Sequence, residues 1–259
     1  MYLAGSAFAQ NEPNWRAQQF EAGGPNISVH PINPIDTAPT AGGTGSLSPI
    51  INHGGPVMGT PKAYLIWYGN WNQTNGSDTP AARSRLSDNG VFSVVSNAIT
   101  SGALLKDANG VYFVITSSDI AKTGFCTQYC GWHTYGTVGG TTIKYSFVGN
   151  ANRCLSACAA QTVGPNGNAG VDGMLSVMAH ELEETNTDPN LNAWYDSSGN
   201  ENGDKCAWTF GQSQTLGGNG AYYNMSLPAL STSSRNYLIQ RNLSATDNKC
   251  YVNILTKAQ

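Results

Sequence analysis

The segment Ala179-His180-Glu181-Leu182-Glu183-Glu184 limits what this chain can fold into more than any other stretch. Residues 171 to about 187 read as an amphipathic helix, with Val171, Met174, Leu175, Met178 and Leu182 on one stripe. Asp172 near its start suits the helix dipole, and Asp188-Pro189 ends it. On such a helix His180 and Glu184, four residues apart, share one face at about 40° around the axis. Glu181, Glu183 and Glu184 crowd the C-terminal turns, where the dipole is already negative. That crowding is unfavourable unless a cation offsets it. The fold is therefore expected to turn this face toward a divalent metal and to bring further ligands to it.

The pattern is H-E-x-x-E, one letter from the H-E-x-x-H helix in which two histidines hold zinc and the glutamate is the general base. Glu181 takes the base position, and His180 and Glu184 take the ligand positions. A third ligand is expected from downstream. The loop from Trp194 to Cys206 supplies Asp196, Glu201 and Asp204. Glu201, 17 residues past Glu184, ranks first, then Asp204, then Asp188 one turn further along the helix. The plainer readings are a helix-ending turn for Asp188 and an Asx turn for Asp204. Zn2+ is the expected ion; a single imidazole among carboxylates also suits Mn2+ or Ca2+. His133, just past Cys126-Thr127-Gln128-Tyr129-Cys130, is read as a transition-state hydrogen-bond donor or a ligand, against the plainer reading of a surface-loop histidine. His53 is weaker, and His30 carries no signal.

Only 11% of the 259 residues are charged, against roughly 25% on average, and Gly is abundant at 30. Polarity without charge suits a secreted protein. A net charge of −3 gives no case for nucleic acid or anionic membranes. No run of 18 apolar residues predicts a membrane span. Ala7-Phe8-Ala9 before Gln10 is an A-x-A cleavage signal, so residues 1–9 read as a signal-peptide remnant. Residues 10–55, rich in Pro, Gly, Ala and Thr, read as an arm with no function unless it covers the cleft as a pro-segment would. Residues 56–259 are expected to form one domain, and the chain a monomer. Five N-x-S/T sequons occur, at Asn26, Asn72, Asn75, Asn224 and Asn242.

The six cysteines imply three disulfides in an oxidising compartment rather than a zinc site built from two C-x3-C pairs. Six cysteines allow fifteen pairings; Cys126–Cys130, Cys154–Cys158 and Cys206–Cys250 are the expected ones. Residues 63–68, 111–117 and 143–148 read as strands. A helical segment opens at Thr79-Pro80, with Asp88-Asn89-Gly90 interrupting it. The sequence contains no G-x-S-x-G, P-loop or dinucleotide fingerprint. Trp67, Tyr68 and Trp71 are able to stack on sugar rings but more often such residues fill a core and its rim.

Strand, helix, strand, strand, metal helix: this order resembles the upper subdomain of the zincin metalloproteases. Tyr64 to Trp71, Phe125-Cys126 to His133, Val171-Asp172-Gly173-Met174 and His180 through Glu184 to Pro189 also resemble the phosphate-induced protein 1 (EXORDIUM-like) family. Asn192-Ala193-Trp194-Tyr195, Glu201, Asp204, Cys206 and Cys250 extend the likeness over roughly residues 50 to 252. The resemblance implies secretion and, for plant members, a cell-wall place linked to growth. The chain departs from plant members in a shorter spacer before Glu201 and a distinct N-terminal arm. The expected fold is α+β, a zincin-like metalloprotease core with a twisted mixed sheet packed on the active-site helix and held by disulfides. The expected function is a secreted zinc metallopeptidase acting on a peptide or protein substrate, with Glu181 and His133 catalytic. The alternative is a non-catalytic extracellular protein that binds cell-wall polysaccharide or a protein partner around a structural metal.

Overall fold

The computed structural model describes residues 19–33, 48–71, 84–228 and 234–252. Five strands form the main sheet: β1 (Ser28–Pro31), β2 (Lys62–Tyr68), β3 (Gly110–Thr116), β4 (Tyr129–Val138) and β5 (Thr141–Val148). Their spatial order is β1-β4-β5-β3-β2. β2, β3 and β5 run parallel, while β4 is antiparallel to both its neighbours, β5 and β1. The fold is thus α+β around a mixed sheet. β3 is buried at every one of its seven residues, as a parallel strand covered on both faces must be.

Helix α1 (Asp88–Thr100) makes the crossover from β2 to β3. Ser87 caps it, its hydroxyl accepting the Gly90 N–H at 3.0 Å. Asp88-Asn89-Gly90 therefore begins this helix rather than interrupting one; Thr79-Pro80 lies outside the described residues. Val91, Val95 and Ile99 bury its inner face. Helix α2 (Ala169–Thr187) packs on the other side of the sheet. Glycines in β4 show the two faces. A Cβ on Gly136 would meet the α1 ring of Phe92, whereas one on Gly131, five residues earlier, would meet Val177 of α2. Odd spacing on a strand puts residues on opposite faces, so Gly131 and His133 look toward α2, while Trp132 looks toward α1.

Three expectations are corrected here. Cys126 pairs with Cys154 and Cys130 with Cys158, so neither close pair closes on itself; Cys206–Cys250 is as expected. A strand explains the difference. Cys126 lies in the turn before β4 and Cys130 within β4, and both face the segment around the short helix Leu155–Cys158, where Cys154 and Cys158 meet them. Second, the segment expected as an arm contributes β1, and its Ile51-Asn52 pairs with Trp194-Tyr195. Third, His133 is not on a surface loop but inside β4, fully buried.

The α2 stripe is also not the deepest face. Leu175, Met178 and Leu182 are half-buried and line an apolar cavity of about 260 Å³ with Met225, Leu227 and Ile239. Of the expected stripe only Met174 is fully buried; Val177, His180, Glu181, Glu184 and Thr185 are among the other buried residues. After α2 the chain forms two-stranded ribbons at 215–223, 225–237 and 242–251. No described helix is long and apolar enough to cross a membrane.

Candidate metal centre

Three elements converge on the C-terminal half of α2. The helix supplies His180, Glu181 and Glu184, strand β4 supplies His133, and the loop held by Cys206–Cys250 supplies Glu201 and Asp204. His133, His180, Glu181 and Glu184 are fully buried and Glu201 is 1% exposed. The Asp204 side chain is 3% exposed.

His180 Nε2 lies 2.9 Å from Glu184 Oε1 and 3.7 Å from Asp204 Oδ1. His133 Nδ1 lies 3.3 Å from Glu181 Oε2 and 3.6 Å from Glu184 Oε2. His133 Nε2 lies 3.7 Å from Glu201 Oε1. The structure thus brings Asp204, rather than Glu201, together with His180 and Glu184. The Glu201 carboxylate instead accepts the Ser28 hydroxyl from β1 with its other oxygen. Asp188 ends α2, its Oδ1 accepting the N–H groups of Asn192 and Ala193. Asp196 is a turn residue paired with Lys205.

These separations match what an ion requires. Ligand atoms about 2.1 Å from one ion stand roughly 3.0 Å apart in an octahedron and 3.4 Å in a tetrahedron. His180 Nε2, His133 Nε2, Glu181 Oε1, Glu184 Oε2, Glu201 Oε1 and Asp204 Oδ1 are buried without a hydrogen-bond partner. Buried polar atoms are normally satisfied, so this set could hold a cation. Glycine makes room for it. A Cβ on Gly203 would stand 2.8 Å from both Glu184 Oε1 and His180 Nδ1, and one on Gly131 would stand 2.9 Å from Glu181 Oε1.

Burial pushes the carboxyls of Glu181, Glu184, Glu201 and Asp204 well above the ordinary carboxylate range. The Glu184 charge adds to the rise at Glu181, Glu201 and Asp204. Burial lowers His133 and His180 to about 3, so both imidazoles are neutral at physiological pH, as metal ligands must be. The described Lys and Arg ion pairs are Lys62–Asp107, Lys122–Asp88 and Lys205–Asp196, so none neutralises the cluster.

Three residues at the centre had no sequence signal. His30 packs its ring 4.1 Å from the His180 ring, and its Nε2 lies 2.9 Å from Gln240 Oε1. Gln240 Nε2 lies 2.5 Å from His180 Nδ1. Turning that amide over would let His180 Nδ1–H donate to Gln240, leaving Nε2 bare for an ion. Ser28 and His30 lie in β1, which closes the centre from above. Only long-range pairing places them there, with His30 150 residues before His180.

The conserved region of phosphate-induced protein 1 matches residues 79–253, more than half of the chain. The chain belongs to the phosphate-induced protein 1 family. Every proposed ligand of the metal centre lies inside the matched region of this family; Ser28 and His30 lie outside it. Protein EXORDIUM-like 3 of Arabidopsis thaliana is 38% identical over 123 residues, 40% of this chain and 36% of its own length. Protein EXORDIUM-like 5 of the same plant is 35% identical over 151 residues, 50% of this chain and 40% of its own. Protein PHOSPHATE-INDUCED 1 of Nicotiana tabacum is 35% identical over 108 residues, 35% of this chain and 34% of its own. The alignments span less than half the length of these curated relatives. No solved structure matches the chain.

Proposed function

We propose that the protein is a secreted metal-dependent hydrolase, a peptidase with a zincin-like core. His180, Glu184 and Asp204 hold the ion, with Zn2+ as the first expectation, and Glu181 is the general base. The observation that carries this reading is the convergence of His180 Nε2, Glu184 Oε1 and Asp204 Oδ1, all buried and within reach of one ion. Their arrangement on a helix beneath a mixed sheet, with the antiparallel β4 beside it, supports the zincin-like comparison. Three disulfides support an oxidising, extracellular location. A bound divalent ion would polarise a carbonyl and acidify a water. In this reading Glu181 takes the proton and His133, with Nδ1 3.3 Å from Glu181 Oε2, orients it. Substrate enters by β1 lifting from β4, since Ser28 and His30 of β1 pack against the centre.

The decisive experiment pairs metal analysis of the purified chain with digestion of a peptide library. Cleavage that is lost with a chelator, restored by Zn2+ and abolished in Glu181→Gln is the expected result. Less than a tenth of an equivalent of any divalent ion, with no binding on titration, would sink the reading.

The complete burial of the centre favours one other reading, a structural metal in an extracellular binding protein. Trp67, 59% exposed and in edge contact with Trp71, would then offer a sugar-stacking face. That face lies on β2, at the opposite edge of the sheet from β1. A glycan array giving specific binding, with no peptide cleaved by the metal-loaded protein, would replace the hydrolase reading with this one.

A further inference from the structure

The two oxygens of Glu184 face different histidines. Oε1 lies 2.9 Å from His180 Nε2, and Oε2 lies 3.6 Å from His133 Nδ1. Asp204 joins the first set and Glu181 the second. In each set, His180–Glu184–Asp204 and His133–Glu181–Glu184, the ligand atoms all lie within 4.8 Å of one another. We propose that the centre is dinuclear, with Glu184 bridging two divalent cations, one in each set. This rests on the metal-binding reading above and adds a second ion to it.

Charge favours two ions over one. Glu181, Glu184, Glu201 and Asp204 bring four carboxylates into the core, with no paired Lys or Arg among the described residues. With one dication, two of these carboxyls would have to stay protonated to avoid a buried charge, whereas two dications let all four ionise. The geometry of the second set is as good as that of the first. Its 3.3 and 3.6 Å separations bracket the roughly 3.4 Å expected across a tetrahedral ion. A carboxylate that gives one oxygen to each ion holds them about 3.5–4 Å apart, the usual spacing of two-metal hydrolytic sites.

One of the two histidines is also supported on the side away from its ion. His180 turns Nδ1 to the Gln240 amide, while His133 Nε2 lies 3.7 Å from Glu201 Oε1, beyond hydrogen-bond distance. Partners on the distal nitrogen orient a metal-bound imidazole and raise its basicity. Glu201 lies outside both sets and is assigned to neither ion. One imidazole with two carboxylates in each set suits Zn2+ or Mn2+. With Oε2 on the second ion, Glu181 keeps its unpartnered Oε1 for proton transfer.

The test is stoichiometry on the full chain. After loading with Zn2+ and dialysis, the wild type is expected to retain two equivalents. Glu181→Gln and Asp204→Asn are each expected to retain one, with circular dichroism showing native secondary structure. Where a variant fails to fold, the Mn2+-loaded wild type decides: two bridged ions give a spin-coupled electron paramagnetic resonance spectrum. One equivalent at saturation overturns the second ion and leaves the single-metal reading standing. No binding overturns both. Two equivalents with uncoupled Mn2+ spectra overturn the Glu184 bridge.

Discussion

Glycine 203 shows how the centre depends on single residues. Its φ of −70° is open to any residue, so Ala would bring no backbone strain there. The added methyl would nevertheless press on Glu184 Oε1 and His180 Nδ1. Gly203→Ala is expected to weaken metal binding by about 10- to 100-fold, the usual effect of disturbing groups that orient ligands, while leaving the fold intact. Calorimetric titration with Zn2+ checks this; wild-type affinity would mean that the ion sits elsewhere. His180, Glu181 and Glu184 were legible from their spacing alone, because a helix puts i and i+4 side by side. Asp204 and Glu201 were legible only as a pool, since a turn-rich loop has no periodicity from which to rank them.

Among the elements, β4 does the most and was the least visible. It carries His133, pairs with β1 and β5, and receives two disulfides. Each of those two bridges closes a loop with a sequence separation of 28, for about 3–4 kcal/mol in the chain-entropy picture. The strand reads poorly because Gly131, His133, Thr134 and Gly136 break the apolar alternation. Gly131 and Gly136 are small because α2 and α1 press on them from opposite faces. β1 is shorter, four residues bonded to one neighbour at the sheet edge. Local opening is easiest in such elements. The amides of Val29 and His30 are therefore expected to exchange with solvent at least tenfold faster than those of Val111 to Ile115 in β3, although all are buried. Hydrogen exchange followed by mass spectrometry checks this. Equal protection would mean that β1 leaves only on global unfolding, and the hydrolase reading would lose its route for substrate.

At the scale of the whole molecule, the buried cluster links stability to pH and metal. His133 and His180 stay neutral in the fold down to about 3. They favour the folded state above the unfolded histidine value of 6.5, and that contribution is lost as pH falls from there toward 3. The four carboxyls act in the other direction. Their folded values are raised, so without metal the fold holds protons that the unfolded chain has released. Their contribution is fully present below the unfolded carboxyl value and is lost as pH rises through the folded one. Above about pH 6.5 the imidazoles give no slope and only the carboxyl effect remains. The metal-free protein is expected to lose thermal stability between about pH 6.5 and 8.5, while the metal-loaded protein is not. Melting curves with and without chelator across that range check it; parallel curves would mean that these carboxyls are not the ligands.

The chain's own letters determined the helix that carries His180, Glu181 and Glu184, three of the five sheet strands and the presence of disulfides, because these rest on local spacing, hydrophobic pattern and composition. They also put the residues of the buried cluster in one short list. The tertiary structure decided which histidine joins them, that Cys126 and Cys130 reach across to Cys154 and Cys158, and that β1 seals the centre. It also showed that the polar face of α2 is its most buried face. Contacts made across 28 residues between paired cysteines, or about 150 between His30 and His180, leave no periodic mark in a sequence; only the packed chain brings those side chains within a few ångströms of one another.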